Sequence, residues 1–106
     1  MIFEMKNEFY LREKSYYSYL DEKHFYEWLE SVEGVKHVAH SKEGLRIELA
    51  EYGMSRSGVY DLIALLTRYG YEMQFVRDLI RPEDESWFGE PERYWYAGVF
   101  GNTDIV

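Results

Sequence analysis

Four groups of residues in this sequence could carry chemistry: three histidines, some close carboxylate pairs, one serine-rich turn and a dense late run of aromatics. Metal binding needs ligands converging on one face. His37 and His40 are three apart, which suits a helix, yet their surroundings read as a strand, where they point to opposite sides. His24 belongs to a different element, and no HExxH-type spacing occurs. Polar surface histidines are therefore the expectation, with no metal and no cofactor. Glu27 with Glu30, and Glu48 with Glu51, could be drawn as acid–base dyads. Such work needs one carboxyl group raised in pKa by an apolar pocket. In so acidic a chain, a solvated acidic face explains the pairs better, and no catalytic residue is assigned.

The turn Met54-Ser55-Arg56-Ser57-Gly58 precedes a helical pattern. Free N–H groups, two hydroxyls and one guanidinium at Ser55, Arg56, Ser57 and Gly58 could hold a phosphate or carboxylate. The turn lacks the glycines and lysine of a P-loop, and ordinary helix capping explains it better.

The most distinctive group comes late. Glu83, Asp84 and Glu85 precede Trp87-Phe88, and Tyr94-Trp95-Tyr96 follow. Three consecutive bulky rings cannot all face one core from a regular element, so at least one should meet solvent. Aromatics rimmed by charge resemble the anatomy of protein-binding patches, where Trp and Tyr act as anchors. The competing expectation is that the tail wraps back and completes the core.

Bulk properties narrow the partners. The chain has 106 residues, 12 basic and 20 acidic, for a net charge of −8. One domain spanning 1–106 is expected. Aromatics make up 19% of the chain, which excludes a disordered composition. The absence of cysteine excludes a disulfide scaffold, a thiolate zinc site and a cysteine nucleophile. Strong negative charge repels phosphate backbones and anionic membranes, so neither nucleic acid nor a membrane is an expected partner. The opening residues lack the apolar core of a signal peptide, and no apolar run is long enough to span a bilayer. The cytoplasm is the expected compartment.

The elements that position these groups follow from periodicity. Phe25, Trp28, Leu29 and Val32 form an i, i+3, i+4, i+7 stripe within a helix predicted over 21–33, opened by Asp21 and closed by Gly34. Val59, Leu62, Ile63 and Leu66 repeat that stripe in a helix over 57–69, capped by Ser55 or Ser57 and ended by Gly70. Strands are predicted over 35–40 and 45–50, joined by a hairpin loop ending at Gly44. Residues 13–20 are β-prone, and 71–76 alternate as a strand although 75–80 also present a helical face. The segment 82–92 holds five acids, no base and both prolines, and reads as an acidic loop.

Together these elements predict an α+β fold with a ferredoxin-like β-α-β-β-α-β order, two helices on one sheet face and an aromatic C-terminal extension. The alternative is a two-stranded hairpin packed with three or four helices. The function expected is a non-enzymatic protein-interaction module of inhibitor, immunity or adaptor type. It would dock through acidic and aromatic residues on a basic partner or on itself as a homodimer. A small-ligand or anion-binding regulatory domain is the alternative.

Overall fold

The computed structural model describes residues 6–101. Its regular elements begin with β1 (Glu8–Leu11), α1 (Tyr19–Ser31), β2 (Val35–Ser41), β3 (Gly44–Leu49) and α2 (Arg56–Tyr69). A 3-10 segment (Gln74–Leu79) and a 3-10 turn (Pro82–Asp84) follow, and then α3 (Glu85–Phe88) and α4 (Tyr96–Phe100).

The hairpin forms where the alternation of Leu45, Ile47 and Leu49 predicts it. Ser41 tightens its turn by donating to the Gly44 carbonyl at 2.7 Å and accepting from the Glu43 N–H at 3.2 Å. Gly44 sits at φ +116°, and a Cβ there would stand 2.5 Å from the Leu11 carbonyl oxygen, so only glycine fits. β3 is the central strand, flanked antiparallel by β1 and β2. Phe9, Leu11, Leu45, Ile47 and Leu49 are buried on one face. On the other face Arg46 pairs with Glu8 at 2.6 Å and approaches Glu48 at 3.7 Å.

The two long helices supply the opposing half of the core. Ser18, not Asp21, caps α1 by accepting from the Asp21 N–H at 3.2 Å. The Asp21 carboxylate instead accepts from the Tyr17 N–H at 3.0 Å. Phe25 and Leu29 of α1 and Val59, Leu62, Ile63, Leu65 and Leu66 of α2 are buried. Ser55 caps α2, and Gly70 ends it in the left-handed conformation at φ 73°, as the sequence predicts.

Among the described residues the fold is α+β, with a three-stranded sheet, and the ferredoxin-like order is not completed. The predicted first strand over 13–20 lies instead at Glu8–Leu11, because the tyrosines of 13–20 serve the helix entry: Tyr16 packs on Phe25 at 5.5 Å. The predicted fourth strand at 71–76 gives way to the 3-10 segment. There Phe75 meets Phe9 at 4.9 Å, while Val76 and Leu79 are buried in the core. Only Met54 and Ile80 form a single parallel bridge after that segment. The two-stranded alternative fails as well, since β1 pairs with β3 over four residues. The acidic segment 82–92 is not a plain loop. It folds into the 3-10 turn and α3, with Pro82 in the first turn, where its missing N–H costs nothing.

Candidate functional site

The late aromatics assemble around Trp87 and Trp95. α3 carries Trp87 and Phe88 inward, and Trp95 immediately precedes α4. Phe88 and Trp95 stack at 5.7 Å, and Trp87 meets Trp95 edge-on at 5.6 Å. The Trp95 indole N–H donates to the Phe88 carbonyl at 2.9 Å within the core. Trp87 is 8% exposed, Phe88 3% and Trp95 1%. These three rings face inward and complete the core, as the expectation that the tail wraps back has it. The reason is local: the turn at Pro91 reverses the chain, so Trp95 returns onto α3. Arg93 secures the turn by donating to the Trp87 carbonyl at 3.0 Å and pairing with Glu90 at 2.9 Å.

Two guanidinium groups stand over the Trp87 ring. The Arg56 group is 4.9 Å from its centroid and the Arg93 group 5.2 Å. Arg56 is held there by Asp84, whose carboxylate accepts its Nε–H at 2.8 Å. Asp84 is thereby spent on the fold, while Glu83 and Glu85 stay exposed. Above the tryptophans lie two tyrosines. Tyr60 of α2 meets Trp87 at 5.4 Å and Trp95 at 5.6 Å, and Tyr94 meets Trp95 at 5.3 Å. Tyr60 is 44% exposed and Tyr94 63%. Desolvation, with a smaller contribution from the Tyr60 phenol, holds the Tyr94 hydroxyl above its ordinary pKa. Tyr96 is half-buried and packs on Phe100 at 5.0 Å. Of the consecutive triplet, therefore, one ring is inside, one outside and one between.

Tyr60 and Arg93 did not stand out in the sequence. Tyr60 flanks the core stripe of α2 on its solvent side, and Arg93 is an isolated base among acids. Only the return of the chain brings both to the tryptophans.

The serine-rich turn is a helix cap. Ser55 accepts from the Gly58 N–H at 3.1 Å. Arg56 is turned away toward Asp84 and Trp87, Ser57 is exposed, and Gly58 is buried where a Cβ would collide with the Glu33 carbonyl oxygen. The four residues do not converge on one point. The neighbouring cavity of about 250 Å³ is lined by Glu33, Glu51 and Arg81, and Arg81 already approaches Glu51 at 3.7 Å.

All three histidines are exposed, and His40 contacts Glu13 at 3.0 Å. Among the described residues no three His, Asp or Glu side chains gather as metal ligands. An open groove of about 850 Å³ is lined by Lys14, Asp21, His24, Trp28, Arg68 and Tyr69, among others. Asp21 and His24 both face it, but the carboxylate is occupied by the Tyr17 N–H and by the Tyr69 hydroxyl at 3.3 Å. Among the described residues no helix is long and apolar enough to cross a membrane. No family model, curated protein or solved structure matches the chain.

Proposed function

We propose that the chain is a non-enzymatic protein-binding module of the cytoplasm, acting as an inhibitor, immunity or adaptor protein on a basic partner. The observation that carries this reading is the exposed pair Tyr60 and Tyr94, packed on the Trp87–Trp95 cluster, whose Trp87 ring is itself covered by the Arg56 and Arg93 guanidinium groups. Rings held by a rigid floor lose little entropy when they are covered, and Tyr, Trp and Arg dominate interface energetics. The exposed acids Glu83, Glu85 and Glu92 belong to the same stretch of chain, and the net charge is −8. That charge steers a basic surface inward and sets the salt dependence of association.

The test is affinity capture at low and high salt with the native chain and with Tyr60→Ala/Tyr94→Ala. The captured partner should be basic and be released by salt. Its affinity should fall about 30-fold in the double variant, the effect of a lost hot spot of about 2 kcal/mol. A partner retained equally by both chains and at both salt concentrations would refute the proposal.

A further inference from the structure

Among the described residues, the outer edge of β1 carries backbone groups with no partner. The Leu49 N–H donates to the Asn7 carbonyl at 2.8 Å, and antiparallel partners exchange such bonds at every second residue. Phe9 opposite Ile47 and Leu11 opposite Leu45 therefore continue the ladder. The N–H and C=O groups of Glu8 and Tyr10 point away from β3. A completed split βαβ sheet would place its fourth strand on that edge. Here the 3-10 segment stands off from it, touching β1 through Phe75 on Phe9 and the chain just before β1 through the Lys6 N–H, which donates to the Asp78 carbonyl at 3.2 Å. An open groove of about 550 Å³ remains between the two, with Tyr10, Tyr52 and Phe75 on its walls. Tyr10 is 42% exposed and Tyr52 61%, so both rings have area left to bury.

We propose that this edge accepts an extended, basic segment of a partner polypeptide as an added fourth strand. Its backbone pairs with Glu8 and Tyr10, and its alternate apolar side chains lie against Tyr52 and Phe75. Strand addition draws affinity from main-chain bonds and specificity from the pockets beside the edge. Charge selects the occupant. Glu8 and Asp78 line the groove but already stand beside Arg46 at 2.6 Å and Lys6 at 3.8 Å, so it is the net charge of −8 that favours a basic strand. A second copy would bring another −8 to the same edge. The proposal deepens the protein-binding reading but uses a different surface from Tyr60 and Tyr94.

The probe is a fluorescein-labelled heptapeptide of alternating lysine and valine, compared with the same peptide N-methylated at alternate residues. Methylation removes N–H donors and leaves charge and side chains in place. Tyr10→Pro is the matching change in the protein: it removes an outward N–H, and proline is tolerated on edge strands. Saturable binding is expected, with amide shifts at Glu8 and Tyr10. Peptide methylation and Tyr10→Pro should each weaken it tenfold or more, and Tyr94→Ala should leave it unchanged. The methylated-peptide comparison decides the matter even if Tyr10→Pro misfolds. No binding, equal binding of the methylated peptide, or shifts confined to other surfaces would overturn the proposal. So would a concentration-dependent dimer that Tyr10→Pro dissolves, since the edge would then belong to a second copy.

Discussion

The Trp95 indole N–H and the Phe88 carbonyl meet at 2.9 Å inside the core, so one side chain ties the base of α4 to the end of α3. Both groups are shut away from water, and neither has an easy substitute for the other. The Tyr60–Tyr94 surface rests on this junction, because Trp95 contacts both tyrosines.

Trp95→Phe should therefore destabilise the fold beyond its loss of ring area. The Phe88 carbonyl loses its indole donor in a buried site, a cost of about 1–3 kcal/mol, and a small cavity adds to it. Urea unfolding followed by far-UV circular dichroism checks this. A loss below about 0.5 kcal/mol would show that the junction is not tied by that bond.

Gly58→Ala separates close packing from helix propensity. An exposed helical position would gain about 1 kcal/mol from alanine. Here the new Cβ would run into the Glu33 carbonyl oxygen, which is backbone and has little freedom to retreat. The expected result is a net loss of about 1–3 kcal/mol, the range for overpacking, read as a lower urea midpoint with the slope unchanged.

Alkaline pH should weaken the fold. Tyr16, Tyr26, Tyr69 and Tyr71 are all held above their ordinary pKa, in each case chiefly by burial. Among the described residues the buried Tyr16 hydroxyl has no hydrogen-bond partner, and the neighbouring Tyr26 and Tyr71 phenols add to the effect of burial. A group with a raised folded pKa contributes stability that is fully present below the unfolded value, about 10 for tyrosine, and is lost as pH rises through the folded value. Urea midpoints should hold steady up to about pH 9 and then fall. A midpoint that rises above pH 10 would contradict the assignment.

Much of the scaffold was legible because local rules and tertiary packing agree there. Val59, Leu62, Ile63 and Leu66 of α2 are all buried, and Gly70 stops the helix as its lack of a side chain allows. The hairpin follows from its alternating Leu45, Ile47 and Leu49. Segment 71–80 satisfied two periods at once, and the contact of Phe75 with Phe9 settled the choice. Tyrosines 16, 17 and 19 have strand-prone rings, but Ser18 provides a helix cap among them, and capping outweighed composition. For the candidate site, the exposure of one ring in the triplet at 94–96 could be foreseen. That it is Tyr94, and that Tyr60 joins it, depends on where the Pro91 turn sends the chain.

The order and spacing of side chains alone determined the α+β class, the two long helices, the hairpin and the acidic balance, because periodicity, caps and charge are local or additive properties. Tertiary structure alone decided that Trp87, Phe88 and Trp95 face inward, that Arg56 serves Trp87 and Asp84, and that β1 lies at the sheet edge among the described residues. Those outcomes depend on contacts between segments distant in the chain, where each ring or charge takes the partner that the completed fold brings within reach.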